Sequence, residues 1–191
     1  QFGPESKKAV EQMVAEISTA FGKNLDTLSW MDDETKNKAR KKLKSVAYLI
    51  GYPKSWRTYN VKLDAKTHGA NVLATRALET QYRLAKIGKP VDREAWEMTP
   101  PTVNAYYEPT RNQMVFPAGI LQPPFYNPKA SVAVNMGAMG MVVGHELTHG
   151  FDDEGSQFEW NGNLESWWKD DTRKRFEQKL ECVVKQYSQY E

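Results

Sequence analysis

Excess charge of one sign is missing from this sequence: 26 Lys and Arg stand against 24 Asp and Glu, a net charge of +2 over 191 residues. So small a balance argues against a nucleic-acid or membrane-surface binder. Basic residues do gather at Lys36, Lys38, Arg40, Lys41, Lys42 and Lys44, but on a helix such positions mostly form a solvated face. A membrane-spanning run is also lacking, because the most apolar stretch is short and is interrupted by Asn135, His145 and Glu146. There is no initiator Met, no basic-plus-apolar leader and no N-x-S/T sequon. The last apolar-periodic run reaches Tyr190 and Glu191 without a Gly or Pro stop. Both ends therefore read as cut, and an internal segment of a longer protein is expected. On that reading the missing leader says nothing about the parent's location. Cysteine is limited to Cys182, which is either a small buried apolar residue on a helix or half of a disulfide whose partner lies outside the segment.

What is present is enough apolar material for a core, 40% of the chain with six Trp, arranged mostly at helical spacing. Val10, Met13, Val14, Ile17, Phe21, Leu25 and Leu28 form one stripe. Asp32 or Asp33 can cap a second helix carrying Ala39, Leu43, Val46, Ala47 and Ile50, ended by Gly51 and Pro53. A third runs from about Ala65 to Ile87, with His68 near its start as a surface residue. After Thr99-Pro100-Pro101 the texture changes. The β-prone run 103–107, the turn-forming run 108–112 and the extended run 113–116 predict a hairpin or two adjacent strands. A helix follows from Ser131 to Phe151, apolar nearly all round up to Gly144, as in a buried helix. Beyond the turn at 160–163, another helix from about Glu165 carries Trp167, Trp168, Phe176, Leu180, Val183 and Val184.

The chemistry concentrates in Gly144-His145-Glu146-Leu147-Thr148-His149-Gly150. Residues four apart share a helix face, so His145 and His149 can direct two imidazole nitrogens at one metal ion. Glu146, one step round the helix, falls beside the metal, where its carboxylate can take a proton from the attacking water. Two His and a Glu near the end of an apolar helix would be costly to bury without such a partner. The extended H-E-x-x-H-x-x-G-x-x-H form is excluded, since position 152 is Asp and position 155 is Gly. A Glu from a later helix is the remaining common solution. Glu154, Glu159, Glu165, Glu177 and Glu181 are available, but none begins an E-x-x-x-D arrangement. The third ligand is expected to be missing. A closed structural zinc module fails, because such sites want four protein ligands, usually Cys.

Here the sequence resembles the neprilysin and endothelin-converting-enzyme family of zinc metallopeptidases, the M13 family. Besides the zinc pair in G-H-E-L-T-H-G-F-D-D (144–153), the resemblance rests on N-A-Y-Y at 104–107 and on R-N-x-x-V-F-P-A-G-I-L-Q at 111–122. It extends to N-L-x-x-W-W at 163–168, to Trp30-Met31 and to Ile50-Gly51-Tyr52-Pro53. The resemblance implies an α+β, mostly helical fold, with a mainly helical region over 1–99 and part of a thermolysin-like catalytic domain over 100–191. It implies one zinc ion, peptide substrates cut on the amino side of apolar residues, and an extracellular or cell-surface location, membrane-anchored or secreted. No nucleic-acid partner is expected.

The same resemblance implies roles residue by residue. His145 and His149 are ligands and Glu146 is the base. Asn104 and Ala105 lie on an edge strand that binds the substrate backbone, and Asp152 or Asp153 orients His149. It also implies that Cys182 is disulfide-bonded to a cysteine outside the segment. The family's downstream G-E-N-I-A-D-type segment, which supplies the third ligand, is absent from the sequence, as are the later His and Arg that stabilise the tetrahedral intermediate. Two readings follow: a zinc endopeptidase seen in part, or a catalytically inactive relative that binds peptides or partners.

Overall fold

The computed structural model of the protein describes residues 2–190 and divides into two compact units, Gln1–Tyr52 with Trp96–Glu191, and Pro53–Ala95. In the larger unit, helix α1 (Pro4–Thr27) starts on a proline, which suits a first helical turn that needs no N–H donor. It buries Val10, Met13, Val14 and Leu25 on the predicted stripe. Helix α2 (Asp33–Lys44) is capped by Asp32, whose carboxylate accepts the Thr35 N–H at 3.0 Å. The smaller unit is built on α3 (His68–Leu84), where Arg57 pairs with Glu79 and stacks on Tyr82. His68 is exposed at the start of that helix.

Asp32 also ties α2 to the last helix, α5 (Asp170–Tyr187), by accepting the Thr172 hydroxyl at 2.7 Å. Burial raises its pKa, but the hydrogen bonds from Thr172 and Thr35 and the charge of Lys169 outweigh that and hold the carboxyl far below the usual range. With a folded pKa below the unfolded one, this group stabilises the fold above about pH 4 and stops doing so as the pH falls toward the folded value. Asp32→Ala is therefore expected to cost about 1–2 kcal/mol at neutral pH. Urea unfolding at pH 7 and again below pH 4 should show the gap between the two proteins narrowing in acid.

Strand β1 (Ala47–Gly51), β2 (Tyr106–Glu108) and β3 (Gln113–Pro117) form a sheet in the order β1-β3-β2. β1 lies parallel to β3 and β2 antiparallel to it, and every residue of the central strand is buried. The predicted hairpin is present, turned at Asn112, whose φ of 46° is a left-handed conformation that Asn tolerates better than most residues. Two expectations shift. Val46, Ala47 and Ile50 do not continue the second helix; α2 stops at Lys44, and 47–51 pair residue for residue with 113–117. Their spacing fits a helix, but Ile50 gains a fully buried strand partner in Phe116. Trp167 and Trp168 precede α5 instead of riding on it, and both are buried.

Helix α4 (Val132–His149), capped by Ser131, packs on α1 and β2. Its burial is one-sided and not all round. Met139, Val143 and Leu147 are fully buried, whereas Val134 and Met141 on the opposite face are 59% and 60% exposed, and Val132 is exposed at the start of the helix. Aromatic contacts close the core around it, with Phe21 on Phe151 and Trp30 on Trp168. No helix among the described residues is long and apolar enough to cross a membrane. Helix α5 ends at Tyr187, and Cys182 on it is exposed, so the buried-thiol alternative does not hold.

Candidate metal centre

The C-terminal end of α4 brings His145 and His149 together as their spacing requires. Their Nε2 atoms are 3.1 Å apart and the rings stand at 86° to one another. Two nitrogens bound at 2.0–2.1 Å to one tetrahedral ion would lie about 3.3 Å apart. The donor pair therefore fits a single zinc ion with little movement. His149 is fixed from behind, where its Nδ1 meets Asp152 Oδ2 at 2.9 Å. A proton on Nδ1 leaves the Nε2 lone pair free to face a metal. Asp152 is itself held, since its Oδ1 accepts the N–H groups of Glu154 and Gly155 at 3.1 and 2.8 Å. Asp153 points elsewhere; it is exposed, and its backbone carbonyl accepts the Ser156 hydroxyl.

Glu146 lies on the inner side of the helix and is only 6% exposed. Burial raises its pKa, against the charges of His145 and His149 and a hydrogen bond from the Tyr107 N–H, which lower it. That bond links the carboxylate to β2. His145, Glu146, His149 and Asp152 line a cavity of about 390 Å³ together with Asn104, Ala105 and Tyr106.

Asn104 and Ala105 thus reach the cavity, but not as part of a strand. β2 begins at Tyr106, the last residue with a partner on β3. The preceding segment runs instead over Gly119, whose N–H bonds Pro100 O and where a side chain would strike the Thr102 carbonyl at 2.4 Å. Asn104 Oδ1 accepts the Ala105 N–H at 2.9 Å.

Among the described residues no group of three or more His, Cys, Asp or Glu side chains is placed to hold a metal. Of the five later glutamates only Glu154 lines the cavity. The centre within this chain is therefore two imidazoles, a buried carboxylate beside them and an aspartate behind one of them.

Two models of peptidase family M13 match the chain, one over residues 1–53 and the other over 104–191. The chain belongs to peptidase family M13. It is 45% identical to the endothelin-converting enzyme homolog of Locusta migratoria, covering 99% of this chain and 27% of that protein. To Neprilysin-3 of Drosophila melanogaster it is 44% identical, covering 99% of this chain and 25% of the relative. The inhibitor complex of the Mycobacterium tuberculosis zinc metalloprotease Zmp1 superposes with a TM-score of 0.91 at 41% identity, over 97% of this chain and 28% of that one. The chain thus spans about a quarter of the length of these relatives. The likeness bears out the α+β, mostly helical class of this M13 segment.

Three buried or half-buried residues near the centre escaped the sequence reading: Lys42, Tyr107 and Asn112. Lys42 hides in the basic run yet is 1% exposed, its ammonium donating to Gly155 O and Phe158 O at 2.6 Å each. The signal was its spacing, because 35, 39 and 42 are the buried positions of α2. Asn112, read as a turn former, is wholly buried. It accepts the Tyr107 hydroxyl and donates to the carbonyls of Lys42 and Trp160.

Proposed function

We propose that this segment carries two of the zinc ligands and the catalytic base of a zinc metalloendopeptidase acting on bioactive peptides. The supporting observation is the convergence of His145 and His149 Nε2 at 3.1 Å with Glu146 buried alongside. In this reading the mainly helical region is 1–99 and the partial catalytic domain is 100–191, in keeping with separate family models over 1–53 and 104–191. The parent is an extracellular or cell-surface protein, and Cys182 pairs with a cysteine outside the segment. Zinc, when bound, supplies a Lewis acid that polarises the scissile carbonyl and acidifies water.

The chain's own residues do the rest. Glu146 takes the proton of the attacking water and delivers it to the departing amine. Its carboxylate is kept in place by the Tyr107 N–H. Asp152 holds His149 in the tautomer that faces the metal. Asn104 and Ala105 offer backbone and amide groups to an extended peptide laid along the cavity wall. The Ala105 N–H is already satisfied by Asn104 Oδ1, so a substrate must exchange that bond, turning the Asn104 side chain toward itself.

The test is zinc binding and hydrolysis by the 191-residue chain. Chelator competition should show weak binding that falls about tenfold or more on His145→Ala or His149→Ala. Hydrolysis of a fluorogenic peptide should be negligible, because the third ligand is not supplied. Chelator-sensitive hydrolysis by this chain, abolished by Glu146→Gln, would overturn the incomplete-site reading. Zinc binding indifferent to both histidines would overturn the metal assignment.

A further inference from the structure

A lysine ammonium is an expensive group to bury, and a side chain with no charge would pack in its place at lower cost. Lys42 is nevertheless enclosed, with its Nζ 5.6 Å from the Trp167 ring centre and 5.9 Å from those of Tyr107 and Phe151. Among the described residues no carboxylate contacts it directly. Its two hydrogen bonds go to the carbonyls of Gly155 and Phe158, more than a hundred residues away, on the loop that leaves the zinc helix. From there the contacts continue in one direction. The Gly155 carbonyl receives Lys42 Nζ at 2.6 Å, the Gly155 N–H donates to Asp152 Oδ1 at 2.8 Å, and Asp152 Oδ2 meets His149 Nδ1 at 2.9 Å.

We propose that Lys42 is a positioning residue for the metal centre: it clamps the 155–158 loop so that Asp152 holds His149 with its Nε2 turned toward His145. The proposal rests on the reading of His149 as a metal ligand. It assigns to α2, in the first 53 residues, a part in a site whose other members all lie beyond residue 100. Two further observations agree. The Trp167 indole N–H shares the Gly155 carbonyl at 3.1 Å, so that oxygen accepts two buried donors. The Asp152 charge also acts on Lys42: burial pushes the ammonium down to about 8 while the carboxylate pulls it up. A second branch reaches Glu146. The Lys42 carbonyl accepts from Asn112, Asn112 accepts from the Tyr107 hydroxyl, and the Tyr107 N–H bonds the Glu146 carboxylate.

The experiment compares the wild-type chain with Lys42→Met, Asp152→Asn, their double variant, and Leu25→Ala as a core-destabilised control whose side chain makes none of these hydrogen bonds. The first readout is taken without metal. In chain labelled with 15N-histidine, the His149 Nδ1 proton should be visible and slow to exchange in wild type and Leu25→Ala. It should be lost in Lys42→Met and Asp152→Asn. The second readout is zinc affinity by chelator competition, expected to fall about 10–100-fold in each of these two variants. The double variant should be no weaker than Asp152→Asn alone. Should the Met variant fail to give a folded near-UV spectrum, Lys42→Gln, which keeps donors for the carbonyls, is measured against the same expectations in milder form. A His149 proton retained in Lys42→Met or Lys42→Gln, or losses that add in the double variant, overturns the proposal. An equal loss in Leu25→Ala overturns it too, by reducing the effect to general stability. If instead zinc ignores His145→Ala and His149→Ala, the metal reading fails by itself, and the metal-free proton signal still decides whether Lys42 positions His149.

Discussion

Glu146→Gln is expected to lower peptide hydrolysis about 10²–10⁴-fold in the protein that carries this segment within a complete catalytic domain, with zinc retained. Gln has the size of Glu and can still accept the Tyr107 N–H, so the wall of the cavity should not move. What it cannot do is receive a proton from water or give one to the leaving amine. On the proposed assignment the metal-facing nitrogens are those of His145 and His149, one step back and three steps on along the helix, and neither is touched by the change. Stability offers a useful separation. The carboxylate is 6% exposed and burial disfavours its charge, so the amide should leave thermal stability unchanged or slightly higher. Loss of activity with a metal content and a melting curve like those of the wild type is therefore the expected signature. Activity within tenfold of wild type would remove Glu146 from the role of base and favour another proton acceptor in the cavity.

The histidine pair was legible because a helix turns a spacing of four into a contact, and no tertiary information is needed to see it. The hairpin was legible for a similar local reason, Pro109 and Asn112 punctuating two β-prone runs. What failed needed long-range partners. Val46, Ala47 and Ile50 continue the helical spacing of α2, and only the pairing of 47–51 with 113–117 takes Ala47 and Ile50 into a strand. Asn104 and Ala105 carry strand-like neighbours, yet the pairing of β2 with β3 begins only at Tyr106, and the segment before them is bonded to Gly119 through Pro100 instead. The apolar character of α4 promised burial on all sides, whereas the helix packs on α1 and β2 and leaves Val134 and Met141 exposed. Lys42 shows the limit most clearly. Five of the six basic residues from 36 to 44 are not buried, and nothing in the run itself marks the sixth as inward-facing except its place three residues after Ala39.

Gly155→Ala is expected to damage the fold at the end of the α4 helix severely, by about 3 kcal/mol. The reason is space and not backbone conformation, because the position needs no left-handed φ. A methyl group there would stand 2.0 Å from the His149 carbonyl oxygen and 2.6 Å from the Gly150 carbonyl carbon. Both are backbone atoms at the end of α4, and neither can rotate away. The loop would have to withdraw from the helix, taking with it the Gly155 N–H that orients Asp152 and the carbonyl that Lys42 and Trp167 share. Gly162→Ala is the matched control. It is at least as crowded, with a methyl 1.9 Å from the Thr110 carbonyl oxygen and a φ of 87°, but its contacts lead to the hairpin turn at Asn112, on the branch toward Glu146 and not the one through Asp152 to His149. Urea unfolding should find both variants destabilised. Zinc competition on the folded chain should find only Gly155→Ala weakened, about 10–100-fold. Equal affinity in the two would mean that the withdrawal of this loop does not reach His149, and that the close approach of Gly155 to the helix end serves stability alone.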